Sequence, residues 1–298
     1  MKNYYNKNFK ANYNTVEIID SNVKRLLAKN PSPFTFYGTG TYIIGHDDDL
    51  AIIDPGPLIE SHIFNLLKLL KNAKKVSLFI THTHADHSPA ARAIKENIDC
   101  ISYGYGPYKR KKFDTNFEEG HDLTFKPDIC LNDGELVNGD GWTIRAIHTP
   151  GHTSNHMCYG LEEQLILFTG DHIMGWSTTV IVPPDGNMTS YIESLKKVLN
   201  YKYKIFYPTH GGPITKPRQF VNALIAHRLM RQTQIINELS KNNLTIKEMV
   251  SKFYKTTDKR LWPAAEKSIL ANLLSLKDKG VVVDEDNKKS KMESDLNY

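Results

Sequence analysis

His82-Thr83-His84-Ala85-Asp86-His87 sets three imidazoles and one carboxylate within six residues. These are ligand types that hold borderline divalent cations such as zinc. The run before it, Lys75-Val76-Ser77-Leu78-Phe79-Ile80, reads as a buried strand. A strand that empties into a polar turn can aim several side chains at one point. His82 and His84, alternate residues of an extended segment, face the same way. The hexapeptide therefore reads as a metal site, and the rest of the chain must say how many ions it serves.

Working outward, the same pattern recurs. Trp142 to Ile147 alternates and runs into His148-Thr149-Pro150-Gly151-His152. Leu165-Ile166-Leu167-Phe168 ends in Thr169-Gly170-Asp171-His172, and Ile205-Phe206-Tyr207 ends in Pro208-Thr209-His210-Gly211. Each is an apolar strand followed by a Gly-containing turn that carries His or Asp. Four such turns, led by His82, His152, Asp171 and His210, can converge on one edge of a layered sheet structure. Two ions a few ångströms apart need about six or seven protein ligands, one of them a bridging oxygen. The hexapeptide with His152, Asp171 and His210 offers that many.

Between these turns, Thr41–Ile44 and Leu50–Ile53 read as a hairpin stopped by Asp54-Pro55-Gly56. Ile59–Leu70 has apolar residues at helical spacing, Ala90–Lys95 starts another helix, and Tyr191–Leu199 reads as a third. Composition changes after Pro217. Phe220–Leu239 is a helical stretch without glycine or proline, and Thr245 with Glu248 forms a capping-box pattern opening a helix to Phe253. Ala264–Lys279 is a further helix ended by Gly280, and Val281-Val282-Val283 is a short β-run. Three helices and a terminal strand fit a small winged-helix module. The predicted organisation is a domain over 1–217, a winged-helix-like domain over 218–284 and a disordered tail over 285–298.

The bulk composition is that of an ordinary globular protein, with 40% hydrophobic and 24% charged residues. Cys100, Cys130 and Cys158 form no Cys-x-x-Cys pair, and an odd count gives no disulfide framework. They read as reduced thiols. Met1–Lys10 lacks an apolar signal region, and no apolar run has the length of a bilayer span. A cytoplasmic protein without a membrane partner is expected, which counts against an exported antibiotic-degrading enzyme. Net charge is +5, and from Arg218 onward 15 Lys+Arg stand against 10 Asp+Glu, so the whole excess lies there. That suits an anionic partner, or a solvated lysine-rich surface.

With its four motifs in this order, the chain resembles the metallo-β-lactamase superfamily over residues 30–215. The family signature is His-x-His-x-Asp-His, then a later His, Asp and His, each at a strand end. All seven positions are filled; the one departure is Pro89-Ala90, where many members have Gly-Gly. The resemblance implies an α/β fold, a four-layer αββα sandwich with a small C-terminal winged-helix-like domain. It implies one site of His82, His84 and His152, a second of Asp86, His87 and His210, and Asp171 bridging two divalent ions. Zinc is the default by ligand type, with iron or manganese also suited to mixed His/carboxylate sites. It implies a hydrolase that uses a metal-bridging hydroxide oriented by Asp86.

Other residues carry weaker expectations. Asp54 reads as a brace for the first-motif loop. His156, four residues beyond a ligand candidate, reads as a general acid or substrate donor at the site mouth, with plain packing as the alternative. His148 and His172 read as neighbours of the site rather than ligands. Met174, Trp176 and Asp185, in the loops after Asp171, are candidate pocket residues. Tyr103, Tyr105 and Tyr108 with Lys109–Lys112 mix aromatic and basic residues, suited to stacking and phosphate contacts or to solvation. The resemblance extends to single-strand endoribonucleases and to glyoxalase-II-like thioesterases. Candidate substrates are therefore single-stranded RNA or a small ester or thioester, the latter through thioesterase or lactonase chemistry. A nucleic-acid-binding module with a structural metal is the reading from another class, and a homodimer is one assembly the C-terminal module could form.

Overall fold

The computed structural model describes residues 5–46, 48–109 and 120–282. Lys111, Lys112, Arg110, Val283 and the tail expected over 285–298 lie outside the described residues.

Among the described residues, twelve strands form two sheets. The first runs in chain order: β1 (Val16–Asp20), β2 (Val23–Leu27), β3 (Gly40–His46), β4 (Asp49–Ile53), β5 (Lys75–Phe79), β6 (Ile101–Gly104) and β7 (Ile129–Cys130). β1 to β4 pair antiparallel, and β4 to β7 pair parallel. The second has β12 (Ile205–Pro208), β11 (Ile166–Gly170), β10 (Met157–Leu161), β9 (Trp142–His148) and β8 (Leu136–Gly139) in that order. Only β11 and β12 pair parallel in it.

Side-chain alternation builds the layers. Tyr42 and Ile44 of β3, Ile53 of β4 and Phe79 of β5 point inward to meet Ile144, Ala146, Tyr159 and Phe168 of the second sheet. Ile43, Ile52 and Leu78 point outward, where α1 (Glu60–Leu70) and α2 (Ala90–Lys95) cover them with Leu66, Leu70, Ala91 and Ile94. Cys158 and Leu167 face out of the second sheet toward α3 (Met188–Val198), which contributes Tyr191, Ile192 and Leu195. The result is the four-layer αββα sandwich. The three cysteines stay apart as free thiols.

The C-terminal region is helical: α4 (Pro217–Leu239), α5 (Ile246–Phe253) and α6 (Trp262–Asp278). Thr245 and Glu248 form the capping box reciprocally. α6 begins two residues before the expected start, because Pro263 is tolerated in a helix's first turn. Val281 and Val282 join no strand, so among the described residues the terminal β-run is not formed. α4 serves two layers. Phe220, Val221 and Leu224 pack on the second sheet, while Ile235 joins Met249, Val250, Ile269 and Leu273 in a cluster among the helices. No described helix is long and apolar enough to cross a membrane.

Candidate metal centre

Seven side chains meet where β5, β9, β11 and β12 end. His82 Nε2 lies 2.9 Å from His84 Nδ1, and His152 Nε2 lies 3.2 Å from that same atom. Beside them, His210 Nε2 and His87 Nε2 lie 3.1 and 3.4 Å from Asp86 Oδ2. Asp171 sits between the groups. Its Oδ1 is 3.3 Å from His210 Nε2 and 3.6 Å from His87 Nε2, and its Oδ2 is 3.8 Å from His152 Nε2.

This donor set fits divalent ions. A zinc ion bonded to imidazoles at roughly 2.0–2.1 Å in a tetrahedron separates its ligand atoms by about 3.3 Å. The observed spacings match that edge, and three groups, His82/His84/His152, His82/His87/Asp171 and Asp86/His87/His210, could each hold an ion. His87 Nε2 and Asp171 Oδ1 are buried with no hydrogen-bond partner among the described residues. Buried polar atoms are ordinarily satisfied, so these two await a ligand.

A second layer fixes the ring orientations. His152 Nδ1 donates to Val180 O at 2.8 Å, and His210 Nδ1 to Gly38 O at 3.0 Å. His87 Nδ1 faces Asp54 Oδ2 at 2.8 Å. Each contact turns Nδ1 outward and leaves Nε2 facing inward. Asp54 does more than brace one loop. Thr81 N and Thr81 Oγ1 donate to its two oxygens, and Thr209 Oγ1 reaches Oδ2 at 3.0 Å, so it ties the first sheet's loop to the second's. It adopts a φ of 50°, a left-handed conformation uncommon outside glycine. Gly170 precedes Asp171 at φ +51°, and a Cβ there would lie 2.6 Å from His156 Nε2. Only glycine fits.

Electrostatics divide the cluster. Burial, reinforced by neighbouring imidazoles, holds His82 and His84 well below the ordinary histidine range, and burial also lowers His152. Burial opposes the charge on His87 and His210 too, but Asp86, Asp54 and Asp171 overcome it at His87 and hold it well above that range. Asp171 and Asp86 push His210 up to about 10.

A narrow cleft, open to solvent, lies over this cluster. Met174 and Trp176 line it, with Phe34, Thr35, Thr178 and Val180. The residues from the Pro33–Thr35 turn went unrecognised as wall; Phe36 beside them stacks on Trp176 with ring centroids 4.6 Å apart. Two expectations need correction. Asp185 is not in the wall: it is buried, and its Oδ2 accepts from Ser154 N, bracing the loop that carries His152. His156 is not at the mouth. It is fully buried, with Nδ1 2.9 Å from Thr149 Oγ1 and Nε2 accepting from Asp171 N, so it reaches no substrate and instead holds the backbone of Asp171. His148 stacks on Tyr105, 3.9 Å between centroids, and contacts Ser154 O. His121, unnoticed in the sequence, stacks on Tyr108 at 3.8 Å and lies 4.7 Å from the His84 ring.

The sequence matches the metallo-beta-lactamase superfamily over residues 35–210 and the beta-lactamase associated winged helix domain over 245–290. It is 31% identical over 273 residues to a beta-lactamase-like protein 2 homolog of Drosophila melanogaster, covering 88% of this chain and 90% of that one. It is 30% identical over 249 residues to an atrochrysone carboxyl ACP thioesterase of Aspergillus novofumigatus, covering 79% and 72%. The fold matches a beta-lactamase domain protein from Burkholderia ambifaria with a TM-score of 0.76 at 17% identity, covering 96% of this chain and 95% of the other.

Proposed function

We propose, for a chain that belongs to the metallo-beta-lactamase superfamily of hydrolases, that it cleaves a small thioester or ester with two divalent ions, zinc by ligand type. His82, His84 and His152 would hold one ion and Asp86, His87 and His210 the other, with Asp171 available to both. The observation that carries the substrate class is the cleft wall. Apart from the metal-site imidazoles and the carboxylates Asp86 and Asp171 it is apolar and hydroxyl-bearing, and among the described residues no lysine or arginine lines it. Such a wall suits an uncharged acyl group better than a phosphate chain. The name of the thioesterase relatives supports the same class.

The ions supply Lewis acidity to the scissile carbonyl and acidity to the attacking water. The protein supplies the rest. Asp86 turns Oδ2 toward His210, His87 and Thr39, leaving Oδ1 to orient the attacking water. Asp54, Val180 O and Gly38 O keep the imidazoles from swinging, so the ligand geometry is preset before substrate enters. Met174, Phe34 and Trp176 exclude bulk water around the acyl group. His156 is assigned no proton transfer.

Single-stranded RNA is a second reading, favoured by one observation: the Tyr108–His121 stack lies beside His84, with Lys109 next in sequence and a second stack, Tyr105–His148, on the same loop, rings on which bases could stack. The three free thiols suit a cytoplasmic location. Purified protein is incubated with S-lactoylglutathione and, separately, with labelled single-stranded RNA, each with and without chelator. Chelator-sensitive thioester cleavage with intact RNA is expected. Intact thioester with cleaved RNA would replace the first reading by the second.

A further inference from the structure

We propose that Arg228, on α4, is a positioning residue through which the C-terminal helices set the geometry of the metal centre. The proposal rests on the ligand assignment above. Arg228 is 4% exposed and, among the described residues, pairs with no carboxylate. Burying a guanidinium without a counter-ion is costly, so its neutral contacts matter. Its Nη2 donates to Thr179 O, and its guanidinium carbon sits 5.1 Å over the Tyr191 ring.

Both contacts lead to His172, and one of them also to Asp171. Thr179 Oγ1 donates to Asp171 O at 2.6 Å and reaches His172 O at 3.1 Å. Tyr191 Oη donates to His172 O at 3.0 Å. The next residue, Val180, presents the carbonyl that orients His152. The irregular stretch Thr179-Val180 thus holds the bridging carboxylate's backbone on one side and a ligand imidazole on the other. Arg228 grips that stretch from behind.

α4 is itself anchored in the helical region. Gln232, one turn beyond Arg228 and also buried, donates to Ser275 Oγ of α6, which lies 2.7 Å from Thr189 Oγ1 of α3. A shift of α6 against α3 therefore moves Arg228, and Arg228 moves the loop between Asp171 and His152. Arg228, Thr179 and Tyr191 do not line the cleft, so their signature is metal affinity rather than substrate binding.

The test uses full-length Arg228→Met, Arg228→Lys and Thr179→Val, with Asp171→Ala as control. Zinc stoichiometry and stepwise affinity are measured by competition with a chromophoric chelator, together with kcat, KM and melting temperature. Arg228→Met and Thr179→Val should weaken one of the two zinc-binding steps about 10- to 100-fold, as loss of a ligand-orienting partner does, leaving the other step and KM nearly unchanged. Arg228→Lys should recover part of the loss. Wild-type affinity at both steps in folded Arg228→Met and Thr179→Val, whatever their melting temperatures, overturns the proposal. If Arg228→Met does not fold, Thr179→Val decides alone. Asp171→Ala keeps the two ideas apart: if it binds two ions like the wild type, the ligand assignment fails and takes this proposal with it. If Asp171→Ala loses zinc while the other variants do not, only the role of Arg228 falls.

Discussion

The two halves of the metal cluster solve the same problem differently. His82, His84 and His152 form an all-imidazole group whose members burial keeps neutral, so their lone pairs are available without any proton leaving. Asp86, His87 and His210 form a mixed group in which carboxylates raise the imidazoles and hold their protons. In the metal-free protein the first group is a preformed cage and the second an ion-pair network. A cage and a network with nearly the same ligand spacing should differ in how they fill.

Asp171 is where the difference can be broken outright, because its two oxygens face the two groups. Asp171→Ala is expected to release both ions and to lower hydrolysis by about a thousandfold or more, the several kcal/mol of Lewis-acid stabilisation lost with them. Metal analysis after gel filtration checks it. Retention of one full equivalent would mean that the halves are independent.

Acidity should separate the halves next. An ion entering the mixed group must expel protons from His87 and His210, and the all-imidazole group sheds none near neutrality. Lowering the pH should therefore weaken the mixed group by up to about tenfold per unit for each proton displaced. Dialysis in steps from pH 8 to pH 5 should remove one equivalent before the other. Loss of both at one pH would erase the distinction. In the metal-free protein the sign reverses. The raised His210 contributes stability below the ordinary imidazole value, and that contribution is lost as pH climbs through about 10.

Asp54→Asn sharpens the comparison most finely. It keeps the shape of the side chain but removes the charge facing His87 Nδ1. A loss of about 10- to 100-fold in affinity at the mixed group alone is expected, read as one altered step in a two-step zinc titration. An equal loss at both steps would show Asp54 holding the whole loop edge rather than one ring.

Much of this centre was legible in the sequence because its ligands follow strands at turns, and a turn such as Thr169-Gly170-Asp171 announces itself by composition. The hexapeptide, the three later residues and the brace at Asp54 could all be read. What could not be read depends on docking between distant loops. Val180 and Gly38 act through backbone carbonyls, which no side-chain pattern marks. His156 has the right sequence distance from His152 for a mouth residue, yet the turn entering β10 sets it beneath Asp171. The strand Val23–Leu27 was missed because adjacent Lys24 and Arg25 break the apolar pattern; Arg25 is buried all the same, donating to Glu17 and to Gly211 O. Arg228 looked like one more surface cation of a basic C-terminal region.

The bonds that close the site also impose an order in time. Gly40 N donates to Thr209 O, Tyr42 Oη to Pro208 O, and Gly38 O receives the His210 ring. The first hairpin thus finds its partners only after some 170 further residues have been made. On the ribosome, the neutral cage lacks Val180 O, which orients His152, until residue 180 has been made, and the mixed group cannot exist before residue 210. Pairings of such long sequence separation form slowly, so a nascent chain exposes its imidazoles to passing ions well before the strand that completes the centre arrives. The last short strand, β12, is therefore the step that turns a metal-binding polypeptide into a hydrolase.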